Sequence, residues 1–282
     1  MPWGGRNTNL PSDPGPDTNP LPEAALRRLD DLRIRMQSGR GVATTSLSVD
    51  ELMLVHEVGF DPVSMVMGSS VYHLGYQWST VLKSMEMGTL TAAMYNARGL
   101  AMSRMEAEAN AVGADGVVGV DLQIRFMDLG DSTAEFTAIG TAVKARSEGN
   151  WRRPDGKPFT SSLSGQAFWK LVRTGYRPLA LVIGNCVYHV GIQRMGFFGN
   201  LQNRELNVYT QGLYEARERA MSRMQQEAED VGASIVVESR VTHNNHIWDN
   251  RIVEFFALGT ASTAISDQHS YPTPAIVISV DA

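Results

Sequence analysis

Two tyrosine–histidine pairs stand at matching places in the chain, in Val71-Tyr72-His73-Leu74-Gly75 and Val187-Tyr188-His189-Val190-Gly191. A histidine after an apolar run can be a metal ligand, a general base, or the plug at the end of a core strand. A ligand histidine normally has Cys, His or carboxylate partners nearby, and the first pair has no second histidine close to it in sequence. A symmetric assembly could still gather Tyr72, His73, Tyr188 and His189 around an axis, so a divalent metal or a small ligand between subunits stays open. His243 and His246 have H-x-x-H spacing, but on a strand positions three apart point to opposite faces. Arg98 and Arg217 recur on one kind of helix, and Glu135 and Glu254 near the start of one kind of strand. They are candidate interface or ion-pair positions. The lone Cys186 replaces Ser70 of the matching stretch and reads as packing rather than as a nucleophile. No Walker loop, G-x-S-x-G or H-E-x-x-H is present, and GVVGVD (116–121) carries β-branched residues between its glycines, which suits a strand better than a phosphate cradle. No catalytic residue and no cofactor site is assigned, and the chain is expected to be non-enzymatic.

The bulk composition agrees with a globular protein. Apolar residues make up 43% of 282 and charged residues 20%, with a formal net charge of −5. Lysine and arginine are scattered, which argues against a nucleic-acid partner. No apolar run approaches the roughly 18–20 residues a spanning helix needs. The N-terminal stretch lacks the charged start and apolar core of a secretory signal. One cysteine allows no internal disulfide and fits a reducing cytoplasm.

The elements that must position these residues come in duplicate. Residues 46–77 align with 162–193 at an offset of 116, with 12 identities in 32 positions. Residues 92–143 align with 211–262 at an offset of 119, with 21 identities in 52 positions. A repeat of that length is too long for a solenoid unit and means two domains of one fold. The expected order is a Pro-rich disordered tail (1–22), a short amphipathic helix (23–40), a first domain (45–146), a linker (147–161), a second domain (162–265) and a C-terminal tail (266–282) that could add a strand to a sheet edge. The tails are also where an unknown protein partner could attach.

Each copy opens with a short helix, and in the first Ser48 to Glu51 form a capping-box pattern. Gly59 and Gly175 stand where a left-handed C-cap is wanted. The next strand alternates, with Val63, Met65, Met67, Val71 and His73 on one side, taken as the core side, and Val66, Gly68 and Tyr72 on the other. A long helix is expected over roughly 91–112 and 210–231. Its stripe is Met94, Ala97, Ala101 and Met105 in one copy and Leu213, Ala216, Ala220 and Met224 in the other. Arg104 with Glu108, and Arg223 with Glu227, read as i,i+4 pairs. Val118, Val120, Leu122, Ile124 and Phe126 are expected on one face of the second strand, and Phe136, Ala138, Gly140 and Ala142 on one face of the third. The fold class is therefore α+β, two copies of a β-α-β-β unit each preceded by a short helix.

The run ARGLAMSRMEAEANAVGADGVVGVDLQ (97–123), closed by EFTAIGTAVKAR (135–146), resembles the YbjQ-like family, whose label is heavy-metal-binding. The second copy, ARERAMSRMQQEAEDVGASIVVES (216–239) with EFFALGTA (254–261), matches more loosely. The layout is similar to actinobacterial two-copy members. The resemblance implies a dodecin-like unit that assembles into rings, typically homopentamers, so the implied partner is the chain itself. Two copies per chain leave two layouts open: two stacked tiers, or one ring with more positions.

Overall fold

The computed structural model of the chain describes residues 21–73, 84–127, 133–147, 149–190, 207–245 and 252–265. Helix α1 (Glu23–Gln37) precedes the first copy, which runs α2 (Val49–Glu57), β1 (Phe60–His73), β2 (Met85–Glu86), α3 (Gly88–Ala111), β3 (Gly116–Met127) and β4 (Thr133–Ala145). The second copy follows with β5 (Phe159–Thr160), α4 (Gly165–Arg173), β6 (Tyr176–His189), α5 (Asn207–Asp230), β7 (Ile235–Asn245) and β8 (Ile252–Ala264). The architecture is α+β, with the β-α-β-β unit written twice behind a short helix each time.

Two four-stranded sheets form, ordered β1-β4-β3-β5 and β2-β6-β8-β7. Each contains one strand from the other copy's stretch of chain. The two-residue strand β2, just before α3, adds to the edge of β6, while β5, just before α4, pairs in parallel with β3. The remaining pairings are antiparallel and repeat in register: Val71 lies opposite Glu135 as Val187 lies opposite Glu254.

Local chemistry explains the short helices. Ser48 accepts from the Glu51 amide while the Glu51 carboxylate takes the Ser48 N–H, a complete capping box. Ser164 caps Ala167 in the second copy at 3.2 Å. Gly59 and Gly175 follow at φ 88° and 83°, a conformation that favours glycine. Helices α2 and α4 pack against each other over Phe60, Phe159 and Phe168. The rings of Phe60 and Phe168 meet edge to face at 5.2 Å between centroids.

Three expectations are corrected. The side of β1 carrying Met65, Met67, Val71 and His73 is exposed, whereas Ser64, Val66, Gly68 and Ser70 are buried. The helix therefore covers the opposite face of the strand. The reason is steric: α3 passes so close that a Cβ at Gly68 would collide with the backbone of Ala101 and Met105, and α5 so close that one at Gly184 would collide with that of Ala220 and Met224. The face of β3 also switches once. A bulge between Val118 and Asp121, with Gly119 at φ 67°, puts Val117 in the core with Val120, and sends Val118 to the aromatic cluster between α2 and α4. The charged side chains of the long helices, expected as i,i+4 pairs, turn instead to the strand beneath them, whose backbone groups need partners. Arg104 donates to Ser69 O and Glu108 accepts the Met67 N–H, as Arg223 donates to Asn185 O and Glu227 accepts the Ile183 N–H.

The first long helix starts at Gly88, three residues before its expected start, and helix α1 spans 23–37 with Leu29 buried. Arg28 of α1 reaches Glu108 at 2.6 Å. The expected tails fall outside the described residues, except that 21 and 22 lead into α1.

Candidate functional site: the junction between the copies

Helix α3 lies between two sheets. One side carries Met94, Ala97, Ala101 and Met105 against its own β1 and β4, and its core also contains Leu181, Val187 and Ile252 from the back of the second sheet. A spacing of about two turns puts Thr91 and Arg98, seven residues apart, on the side facing that second sheet. Thr91 Oγ1 accepts the Val187 N–H at 3.0 Å, and its carbonyl accepts from Asn185 Nδ2 at 3.2 Å. The Met87 N–H donates to Val187 O at 2.8 Å. The exposed edge that β6 would otherwise present is thus used by the sister copy.

Arg98 and Glu254 meet across this junction at 2.7 Å, with side chains 4% and 1% exposed. The guanidinium also lies 4.2 Å from the ring centre of Phe256 and 5.5 Å from that of Phe136, one ring from each copy. A second ion-pair cluster closes the rim, where Glu86 of β2 faces Arg219 and Arg223 of α5, each at 2.8 Å. Burial works to raise the Glu86 pKa, but Arg223 and then Arg219 outweigh it and hold the carboxyl below its ordinary value. A groove of about 600 Å³ opens beside Arg98, between the bulge of β3 and Phe256 and Leu258 of β8.

The candidate residues separate by environment. Arg98 and Glu254 come together, but between copies rather than within one. Their sisters stay apart: Arg217 pairs with its neighbour Glu218 at 2.7 Å and is 43% exposed, while Glu135 is half-buried on the open back of the first sheet. His189 is buried at the junction with Nδ1 lacking a hydrogen-bond partner, whereas His73 is exposed at the end of β1. The difference follows from β2, which covers His189 and pairs with it in register. Tyr188 is buried on the other face and donates to Glu215 at 2.8 Å. Burial first, and then that carboxylate, push its pKa up to about 12. Tyr72 is half-buried against the first core. His243 is exposed and stacks on Phe255 at 4.9 Å, and His246 lies outside the described residues. Among the described residues no three His, Cys, Asp or Glu side chains gather as a metal cluster. Burial, and then Glu86, raise the Cys186 thiol to about 12, which keeps it protonated and unreactive. Sequence reading missed Thr91, Asn185 and Glu86. The signal available for Thr91 was its repetition as Thr210 at the same helical position.

A two-copy α+β chain, joined by edge strands exchanged between its copies, is the class this geometry defines. The family described as "Putative heavy-metal-binding" (YbjQ_1) matches residues 42–146 and 176–264. The chain belongs to this YbjQ-like family, in a tandem form. It is 46% identical over 244 residues to the Encapsulin nanocompartment protein Rv1762c of Mycobacterium tuberculosis, covering 85% of this chain and 92% of that one. A UPF0145 protein of Pseudothermotoga lettingae is 32% identical over 105 residues, 36% of this chain and 96% of its own length. UPF0145 protein TK1926 of Thermococcus kodakarensis is 37% identical over 73 residues, 26% of this chain and 63% of its own. The two UPF0145 relatives match about as much sequence as one copy or less, whereas the mycobacterial relative matches across both. Among the described residues no helix is long and apolar enough to cross a membrane.

Proposed function

We propose that the chain is a non-enzymatic building block that closes into a homo-oligomeric ring and acts there as a scaffold or binding protein. One observation carries this reading. The back of β1 exposes Met65, Met67 and Val71 along a single strand, although the matching face of β6 is buried. A contiguous apolar stripe on an edge strand calls for a covering partner. The compartment name of the mycobacterial relative supports placing that assembly with a protein nanocompartment, and the single cysteine fits a cytoplasmic setting. The two copies meet through unlike surfaces, a helix side and a strand edge of the first against a sheet back and an arm of the second, which favours copies alternating around one ring over two stacked tiers. Such a ring has twice as many positions as chains, so the five-chain ring that the family resemblance implies would carry ten. Light scattering on the untagged full chain tests this: a single species of five chains is expected, and a monomer alone at micromolar concentration would remove the reading.

A second reading is a divalent metal or small ligand held between chains. It is favoured by His73, which stands exposed at the end of the open stripe, next to Tyr72. Elemental analysis of untagged protein, repeated on His73→Ala, tests it; an assembled wild-type protein without bound metal counts against the metal.

A further inference from the structure

Four surfaces of the chain are duplicated, and in each case the copy at the internal junction is covered while its sister is open. On the long helices, Thr91, Arg98 and Met102 are buried, whereas their counterparts Thr210, Arg217 and Met221 are only partly buried. Among the sheet edges, β3 pairs with β5 on its outer side, but among the described residues β7 ends its sheet. The back of β6 is buried and the back of β1 is not: Val187 is 0% exposed and Val71 59%. Residues 159–160 are buried as β5, while the matching residues 43–44 are exposed.

The short arm at 43–46 is nonetheless already held in the shape of its partner. Thr44 Oγ1 accepts the Met65 N–H at 3.0 Å, as Thr160 Oγ1 accepts the Leu181 N–H at 2.9 Å. Ser46 N–H donates to Thr141 Oγ1 at 3.0 Å, as Ser162 N–H donates to Thr260 Oγ1 at 3.1 Å. The bulge on β3, which takes the arm through Gly119 N–H to Leu163 O and Val120 N–H to Ser161 O, is repeated on β7. There Glu238 keeps the left-handed conformation at φ 49° without being glycine, a strained choice that points to a retained docking shape.

The first copy supplies the helix side and the β3 edge to the internal junction, and the second supplies the sheet back and the arm. What remains open among the described residues is the complement: a helix side and an edge on the second copy, a sheet back and an arm on the first. We propose that a second copy of this chain fills these surfaces head to tail, repeating the internal junction. The α5 side and β7 edge of one chain then meet the back of β1 and β4 and the arm of the next, with Arg217 on Glu135 and Thr210 on the Val71 edge. This rests on the assembly reading above and names its interface. A heterologous contact of this kind closes into a ring or propagates as a filament. It is also the smaller junction: Thr137 stands where the internal one has Phe256, and Ala43 where it has Phe159.

Cross-linking tests it. In the internal junction Gly116 and Phe159 are register partners of the parallel pair, so Ile235 and Ala43 are the corresponding pair between chains. Full-length Ile235→Cys and Ala43→Cys chains, mixed and joined with a short bis-maleimide, should give covalent dimers, while neither alone should; Cys186 is buried and stays out of reach. Arg217→Glu should weaken association at least tenfold, and adding Glu135→Arg in the same chain should recover much of it. An oligomer whose mixed variants do not cross-link, or whose single variant cross-links with itself, overturns the head-to-tail junction while leaving assembly intact. So does an Arg217→Glu chain whose mass distribution is unchanged. A wild-type chain that stays monomeric fails the assembly reading itself.

Discussion

Strands β1 and β6 are the same strand written twice, yet they live in different surroundings. In β6 every residue from Pro178 to His189 is buried; in β1 burial alternates from Ser64 to Val71 except at Ser69. The side facing the copy's own helix is alike in both, down to the glycine that lets the helix approach. The other side differs because β6 has a sister domain behind it and β1 has none in its own chain. Sequence similarity between the copies therefore reports two interfaces at once, one within the domain and one between domains. Only the second is unequally satisfied.

Mutations made in sister pairs would break or sharpen that contrast. The largest gap is expected at the ion pair. Arg98→Leu removes the cation that faces the buried Glu254 carboxylate and should cost about 3–5 kcal/mol in urea unfolding. Arg217→Leu, in dilute solution, should leave the unfolding curve almost unmoved, because its present partner Glu218 is exposed. Equal losses at the two sites would mean that the copies are not differently loaded. Glycine supplies the control on the shared side. Gly68→Ala and Gly184→Ala should each cost about 1–3 kcal/mol, and by similar amounts, since both collide with helix backbone. A smaller contrast is expected at the paired valines. Val187→Ala should lose about 2 kcal/mol from a fully buried site. Val71→Ala should leave the dilute chain unchanged and weaken its self-association as concentration rises.

What the residues made legible, and what they hid, follows from the same contrast. The long helices could be read because their apolar stripe has a helical period and a glycine closes each one. The unit order could be read because its turns and caps recur at fixed offsets. The faces of β1 could not: the larger apolar residues Met65, Met67 and Val71 lie on the open side, while the helix takes the side of small residues, Ser64, Gly68 and Ser70, and a period of two says nothing about which side that is. Strands β2 and β5 have two residues each, too few to show any period. Arg98 and Glu254 stood out as recurring charges, but their partnership was hidden because each finds the other in the sister copy rather than in its own.

The finest test of the contrast is the acid response of the junction's rim. Glu86 reaches from the first copy to Arg219 and Arg223 of the second, and these arginines hold its carboxyl below the ordinary 4.5 despite the opposing effect of burial. A carboxyl whose folded pKa is depressed contributes stability above its unfolded value and loses it as pH falls through the folded one. Glu86→Gln should therefore cost about 1 kcal/mol at neutral pH and progressively less below about pH 4.5, with the two unfolding curves converging in acid. The same substitution at Glu218, an exposed carboxylate that pairs within one helix of one copy, should shift the curve little at any pH. If Glu86→Gln and Glu218→Gln behaved alike, the rim cluster would be ordinary surface charge, and the internal junction would rest on its buried apolar faces and the Arg98–Glu254 pair alone.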